Sequence, residues 1–122
     1  MKEITGIYEV AIPVRNLEQS EAFYIEQLGL TSGLREEGRR WHFLRINGAD
    51  GMLVLQESSE DFPVIHFAFS TTAAQIDSAA SILRKAGIEV TGPVTHDWLP
   101  ASSIYFTDPN GHALELCAPL TE

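Results

Sequence analysis

The chain has 122 residues, a length typical of one domain and too short for two average independent cores. Its apolar fraction of 44% and charged fraction of 20% exclude a disordered or collagen-like chain. With 8 Lys and Arg against 17 Asp and Glu, the formal net charge is −9. This charge disfavours nucleic acid and anionic membranes as partners, and it suits a metal ion or a cationic ligand.

Cysteine usage and hydropathy bear on the compartment. The chain has 1 cysteine, Cys117, which excludes an internal disulfide and a cysteine-based zinc site. Residues 1–6 lack the apolar region of a signal peptide, and no apolar run reaches the roughly 20 residues that a membrane span needs. We therefore expect a cytoplasmic protein without a membrane partner.

The first half of the chain predicts a strand, a helix and three further strands. Residues 6–14 have the β-branched and aromatic composition of a strand, interrupted by Glu9. Asn16 is placed to cap a helix that ends near Leu28, with Gly29 following it. Shorter strands are predicted at residues 30–34, 41–46 and 52–56, and the last two are joined by turn-forming residues 47–51.

The second half repeats this order. Residues 64–70 predict a strand in which His66 stands where the first strand has Glu9. Residues 72–75 have the Thr-x-x-Gln pattern of a capping box and predict a helix that stops at Gly87. Strands are then predicted at residues 88–91, 103–107 and 112–117, with a turn at residues 108–111.

The two halves align as an internal repeat. The separation between matched positions is 57 to 60 residues, for Glu9 with His66, Gly29 with Gly87, and Gly51 with Gly111. Each half is too small to fold alone. We therefore interpret residues 1–122 as a single domain of two tandem modules, about 5–57 and 63–118.

Two segments carry a family resemblance. The sequences Asn-Leu-Glu-Gln-Ser-Glu-Ala-Phe-Tyr…Leu-Gly-Leu (16–30) and Tyr-Phe-Thr-Asp-Pro-Asn-Gly-His-Ala-Leu-Glu-Leu (105–116) resemble the vicinal oxygen chelate superfamily. This superfamily includes glyoxalase I, extradiol dioxygenases, fosfomycin-resistance enzymes and bleomycin-resistance proteins. The resemblance implies an α+β fold in which two βαβββ modules form a cup-shaped, half-open mixed sheet with the helices outside. It also implies a homodimer.

Three residues match the metal-ligand positions of the resembled family: Glu9, His66 and Glu115. The fourth ligand position of glyoxalase I aligns with the apolar Leu55, so three protein ligands with open positions are expected. The residues themselves favour this interpretation, because unpaired ionisable groups inside apolar strands are costly to bury. One imidazole and two carboxylates suit one divalent metal ion, Zn, Ni, Mn or Fe. In the alternative interpretation, the glutamates face solvent or pair with arginine and His66 belongs to the core.

Other side chains are candidates for a substrate pocket. Tyr105 is expected in the substrate site by resemblance, and Arg45 aligns with it at an offset of 60. Arg45 is expected either to hold an anionic group or to pair with a surface acid. Phe43 and Trp41 share the face of Arg45 in the predicted strand. Trp98 is expected to cover the mouth of the cup or to pack in an interface.

The remaining histidines and the cysteine are given structural roles. We expect His112 to fix its turn, His42 to lie on the face opposite Trp41, and His96 to be solvated in a loop. Cys117 shares the strand face of Glu115 and is expected to be a small buried thiol.

Two functions follow from these features. The first is a divalent-metal-dependent enzyme acting on a small substrate with adjacent oxygens, by isomerase, lyase or thiol-transfer chemistry, in which the metal stabilises an oxyanion. Glu9 and Glu115 are the candidate bases. A ring-cleaving dioxygenase, with two His and one Glu, is less favoured, and the absence of Lys or Arg after Lys85 disfavours a phosphonate substrate. The alternative is a metal-free protein that binds a cationic small molecule, as bleomycin-resistance proteins do.

Overall fold

Two four-stranded mixed sheets, each with one helix, form the described structure, which is a computed structural model of residues 1–48 and 50–120. The chain divides into two units, Met1–Pro63 and Val64–Glu122. The α+β class and the tandem modules predicted from the sequence are confirmed. Among the described helices, none is long and apolar enough to cross a membrane.

The first unit contains four strands in the order β1-β4-β3-β2. β1 is parallel to β4, and the other neighbours are antiparallel. Its elements are β1 (Glu9–Val14), α1 (Leu17–Glu21) continuing as a π-helical segment (Ala22–Gln27), β2 (Thr31–Glu36), β3 (Trp41–Ile46) and β4 (Gly51–Glu57).

The second unit repeats this topology, with the strand order β5-β8-β7-β6 and a parallel pair between β5 and β8. Its elements are β5 (His66–Ser70), a 3-10 turn (Ala73–Gln75), α2 (Ile76–Lys85), β6 (Thr91–His96), β7 (Ala101–Thr107) and β8 (Ala113–Pro119).

Helix α1 and its π-helical continuation together begin and end where the sequence predicts. The Asn16 side chain accepts a hydrogen bond from the backbone N–H of Gln19 at 2.9 Å. Glu57 Oε2 accepts a second one from the N–H of Leu17 at 2.8 Å, so two of the free amides at this helix start are satisfied. Gly29 follows the helix with φ +83°, a conformation that favours glycine.

The start of the second helix differs from the prediction. The Thr72 side chain makes no capping bond, so the predicted capping box is wrong. The chain enters the helix through the 3-10 turn, where the N–H of Gln75 donates to the backbone carbonyl of Thr72 at 3.0 Å. The Gln75 side chain accepts from Thr71 Oγ1 at 3.4 Å instead of reaching back to Thr72.

Strand β6 also differs from the prediction, which placed it at residues 88–91. The structure begins it at Thr91, because Gly92 and Pro93 are accommodated in an irregular register between Thr91 and Val94. Gly92 has φ +107°, and Arg84 Nη2 donates to its carbonyl at 3.0 Å. Glycine and proline argue against a strand in a sequence pattern, and for this reason β6 was not predicted at residues 91–96.

The core of the second unit lies between helix α2 and strands β6 to β8. The helix buries Ile76, Ala80 and Leu83, which its period places on one side. The sheet buries Ile104 and Leu114 on the facing side. Because side chains alternate along a strand, the opposite face is left for polar residues.

The two sheets match position by position, and the match corrects the predicted alignment at two places. Glu9 opens β1 opposite Met52, and His66 opens β5 opposite Ala113. Farther along, Ala11 lies opposite Val54 in the first sheet. The same step in the second sheet places Ala68 opposite Glu115. The first-unit equivalent of Glu115 is therefore Val54 and not Leu55, although it is apolar as well.

The alignment of Arg45 with Tyr105 is also wrong. Tyr105 lies opposite Glu115, and Phe43 lies opposite Val54, so Phe43 is the equivalent of Tyr105. The offset between matched residues is 57 for Glu9 and His66, 62 for Phe43 and Tyr105, and 61 for Val54 and Glu115, because the connections differ in length between the units. One constant offset therefore could not align the later strands.

Candidate metal and ligand site

His66 and Glu115 meet on the face of the second sheet that lies away from helix α2. His66 Nε2 is 3.1 Å from Glu115 Oε1, although the two residues are 49 positions apart in the chain. The parallel pairing of β5 with β8 brings them together. The side chain of His66 is 53% exposed and that of Glu115 13%, so the pair is open to solvent on the histidine side.

The orientation of the His66 ring makes this pair unusual. Its Nδ1–H donates to the backbone carbonyl of Ala113 at 3.1 Å. In the neutral ring, Nε2 then carries a lone pair that faces a carboxylate oxygen. Two acceptors at this separation repel each other unless a cation, either a proton or a metal ion, lies between them. The backbone bond to Nδ1 is also the usual support of a metal-binding imidazole.

Ser103 fixes the other side of the carboxylate. Its hydroxyl donates to Glu115 Oε2 at 2.6 Å, and the residue is fully buried in β7. This bond leaves Oε1 as the oxygen that faces His66. A ligating carboxylate held in this way loses little freedom when it binds a cation.

Tyr105 and His96 extend the polar face. The hydroxyl of Tyr105 shares a hydrogen bond with His96 Nε2 at 2.8 Å. Burial raises the pKa of Tyr105, and the negative charge of Glu115 on the opposite strand raises it further. The expectation of a solvated His96 is wrong, because β6 places its ring against Tyr105. Trp98 lies 5.5 Å from the His96 ring, centroid to centroid, and is 81% exposed.

The donor set of His66 and Glu115 fits half of a divalent-metal site. Two ligands at about 2.1 Å from one ion lie about 3.0 to 3.4 Å apart when their angle is octahedral or tetrahedral. The observed 3.1 Å lies in that range. Within the described part of each unit, no three His, Cys, Asp or Glu side chains gather at one point. Glu9 belongs to the first unit, where it lies exposed at the start of β1.

The pocket candidates of the first unit are partly exposed. The Trp41 and Phe43 rings lie 6.5 Å apart, and the Arg39 guanidinium stacks over Trp41 at 3.8 Å from the ring centroid. Arg45 is exposed, and residues 1–48 and 50–120 provide it with no ion-pair partner. The expected pairing of Arg45 with a surface acid is therefore not found there.

His112 has the structural role expected of it. It is fully buried, and its Nδ1 accepts a hydrogen bond from the backbone N–H of Ile65 at 3.1 Å. Its own backbone N–H donates to Asp108 Oδ1 at 2.9 Å, which closes the turn before β8. Cys117 shares the face of Glu115 but is half-buried rather than buried.

Sequence reasoning missed the partners of His42. The residue is buried on the face opposite Trp41, as expected, but it lies between Glu21 and Ser32. These residues are 21 and 10 positions away from it, and no motif links them.

Comparison with known proteins supports the fold and identifies the superfamily. The family profile described as Glyoxalase/Bleomycin resistance protein/Dioxygenase superfamily matches residues 6–116. The chain therefore belongs to this superfamily, and the resemblance seen in its two motifs is confirmed. The curated protein "Glutathione transferase FosA" of Serratia marcescens is 28% identical over 120 residues, which cover 93% of this chain and 80% of that protein.

Solved structures give the same result. An integron cassette protein, HFX_CASS4, from the mobile metagenome of the Halifax Harbour sewage outfall is 47% identical, with a TM-score of 0.91. That alignment covers 94% of this chain and 99% of the cassette protein. TnmS3, an antibiotic binding protein from Streptomyces sp. CB03234, is 26% identical with a TM-score of 0.82, over 98% of this chain and 99% of TnmS3.

Proposed function

We propose that this protein is a cytoplasmic, divalent-metal-dependent enzyme that acts on a small substrate with adjacent oxygens. His66, Glu115 and Glu9 are the proposed metal ligands, and Glu9 comes from the same chain or from a second copy in a homodimer. The similarity to a protein named as a glutathione transferase supports thiol transfer among the chemistries considered. Isomerase and lyase chemistry use the same electrophilic role of the metal.

One observation carries this proposal: His66 Nε2 lies 3.1 Å from Glu115 Oε1 while Nδ1 of the same ring bonds the Ala113 carbonyl. This arrangement calls for a cation, and its spacing suits a shared metal ion. When bound, the metal would polarise a substrate oxygen and stabilise the negative charge that develops on it.

The surrounding residues have distinct roles in this proposal. Ala113 and Ser103 orient the two ligands through their hydrogen bonds. Tyr105 is neutral at physiological pH, since its pKa is raised from an ordinary value of 10.0, and it can donate a hydrogen bond to a substrate oxygen. Glu9 and Glu115 remain the candidate bases, since each carries a carboxylate that could accept a substrate proton.

Metal content tests the proposal directly. We expect plasma mass spectrometry to find near-stoichiometric metal in untagged protein dialysed without chelator. His66→Ala and Glu115→Gln should each lose most of it, because each removes one donor of the pair. Glu26→Gln is the matched control, since Glu26 is an exposed glutamate on the π-helical segment.

The role of Glu9 is tested separately. If Glu9 is the third ligand, Glu9→Gln weakens uptake of Mn²⁺, Ni²⁺ or Zn²⁺ in titrations, whereas Glu26→Gln does not. Sedimentation of the same samples reports whether the protein is a homodimer. Absence of metal from the wild type, with no uptake of these ions on titration, would remove the basis of the enzyme proposal.

A metal-free binding protein is the second candidate. The similarity to the antibiotic binding protein TnmS3 favours it, as does the net charge of −9, which would attract a cationic molecule. If the protein is metal-free, a proton takes the place of the metal ion between His66 and Glu115. Calorimetric titration with a cationic aromatic antibiotic, in the presence of chelator, distinguishes the metal-free binding protein from the metal-dependent enzyme. We expect Trp98→Ala to weaken that binding at least tenfold if the candidate is right, because an exposed indole is a strong site for a cation.

A further inference from the structure

A second cluster of titratable and hydroxyl side chains lies in the first unit and shares no residue with the site described above. It joins helix α1 to strands β2 and β3 through three residues. His42 is buried in β3, and both of its ring nitrogens are bonded. Nδ1 lies 2.6 Å from Glu21 Oε2, and Nε2 lies 2.6 Å from Ser32 Oγ.

The chemistry of the partners fixes the direction of these bonds. The Glu21 carboxylate can only accept, so His42 Nδ1 carries a hydrogen and donates it. In the neutral ring, the lone pair of Nε2 then accepts the hydroxyl hydrogen of Ser32. This order of carboxylate, imidazole and hydroxyl is the one through which enzymes activate a serine. Arg35 Nε donates to the same Glu21 oxygen at 2.5 Å and holds the carboxylate in place.

The hydroxyl end of the cluster is accessible. Ser32 is exposed and lies on β2, the outermost strand of its sheet. The register between β2 and β3 shifts directly after it, between Ser32 and Arg35. A Cβ at Gly33 would lie 2.6 Å from the backbone oxygen of Phe43, so only glycine fits the chain next to Ser32. A buried base and a fixed backbone thus support a serine that solvent can reach.

We propose that Ser32 is a nucleophile toward activated acyl and phosphonyl groups, with His42 as its general base and Glu21 as a positioning residue. In the acylation step, Ser32 Oγ forms a bond to the carbonyl carbon of an ester, and the bond from that carbon to the alcohol oxygen breaks. The Oγ proton moves to His42 Nε2 and from there to the departing alkoxide. Water then hydrolyses the acyl-serine with the same base, which restores Ser32. No metal takes part.

The reactivity of Ser32 can be measured with an alkyl fluorophosphonate, which forms an O–P bond to an activated serine and releases fluoride. The experiment follows the labelling rate of the full-length protein by peptide mass spectrometry. We expect Ser32 to be labelled at least 100-fold faster than Ser81, an exposed helix serine, because a positioned base contributes on the order of 10²-fold or more. Ser32→Ala should abolish the labelling, and Ser81→Ala should not change it.

Three further variants separate base catalysis from a role in folding. His42→Gln should slow labelling about 100-fold. Ser32→Cys keeps His42 in place and should react with iodoacetamide much faster than Cys117 in the same protein. Glu21→Gln, which can still accept a bond from Nδ1, should retain labelling at a reduced rate.

Equal labelling of Ser32 and Ser81 in folded wild type, or no faster alkylation in Ser32→Cys, would overturn the proposal. Labelling that continues unchanged in chelator, and in His66→Ala, supports a centre independent of the proposed metal site. The labelling experiment can therefore fail while the metal-site proposal stands, and the metal measurements can fail while the Ser32 proposal stands.

Discussion

Ser103 and Glu115 are joined across strands β7 and β8 by a hydrogen bond of 2.6 Å in which the serine hydroxyl donates to Oε2. The bond is buried on the serine side and leaves Oε1 directed at His66. Ser103 thus controls the orientation of the carboxylate without touching the histidine. This relationship makes Ser103 a positioning residue for any cation that the pair holds.

Ser103→Ala should therefore weaken divalent-metal binding while the fold is kept. Loss of such a supporting bond typically costs about 10- to 100-fold in metal affinity. Isothermal titration calorimetry with Zn²⁺ or Mn²⁺ measures the change in metal affinity. Ser102→Ala serves as the control, because Ser102 is also buried but points to the other side of the strand. Equal affinities in all three proteins would show that Ser103 has no such role.

The raised pKa of Tyr105 gives a second prediction. Burial is its largest cause and the charge of Glu115 is the next. Glu115→Gln removes that charge, so the pKa of Tyr105 should fall but remain above the ordinary value of 10.0, because burial persists. Carbon-13 NMR of labelled tyrosine resolves Tyr105 from Tyr8 and Tyr24 during the titration. An unchanged midpoint in Glu115→Gln would contradict this account of the site.

The turn that precedes β8 should tolerate change poorly. Asp108 Oδ1 accepts from the backbone N–H groups of Asn110 and His112, both at 2.9 Å, and Asp108 is buried. Asp108→Ala removes both buried hydrogen bonds, so the free energy of unfolding should fall by about 3 kcal/mol. Urea denaturation measures it.

The corresponding turn in the first unit offers a control for Asp108. Asp50 is exposed there and accepts from the Asn47 side chain at 2.6 Å. Asp50→Ala should cost less than about 1 kcal/mol. A comparable loss in both variants would mean that the bonds of Asp108 to the turn are not what stabilises it.

The pKa of Glu18 gives a prediction on pH. A hydrogen bond from Arg40 is the largest cause that lowers it from 4.5 to about 2. Because the folded-state value is the lower one, the stability from this pair is present above pH 4.5 and is lost as the pH falls toward 2. Carboxyl carbon-13 shifts should show the pKa of Glu18 rising in Arg40→Gln.

Arg39→Gln is the matched control for Arg40, because Arg39 pairs with Glu36 instead. It should leave the titration of Glu18 unchanged. High salt should raise the pKa of Glu18 in the wild type, since the pair is exposed to screening. A Glu18 midpoint near 4.5 in the wild type at low salt would refute the ion pair.

The fold could be predicted because its local signals in the sequence are each carried by only a few residues. Asn16 and Gly29 set the limits of the first helix, and the spacing of Glu9 and His66 revealed the repeat. Local sequence patterns do not predict the registers of the parallel pairs β1 with β4 and β5 with β8. For this reason the sequence did not identify Val54 as the equivalent of Glu115. A strand register depends on connections whose lengths differ between the modules.

The candidate site was predictable only in part. The family resemblance assigns His66 and Glu115 to ligand positions, and the cost of burying unpaired charges in apolar strands agrees with it. The structure brings these two residues together. The bonds of His96 with Tyr105 and of His42 with Glu21 and Ser32 carried no sequence signal. Their geometry arises from side chains that meet across elements, and the spacing of such residues is arbitrary.

The pairing of the first and last strands of the second unit has a mechanical consequence. His66 and Glu115 close a loop of 49 residues, so a ligand that holds both acts as a clip between the two ends of the unit. In the unfolded chain the two ligands are far apart, so the ion would hold both of them only in the folded state. An ion present at 100 times its dissociation constant would add about 2.7 kcal/mol to the folded state. Melting curves with added ions would thus report occupancy before any substrate is known.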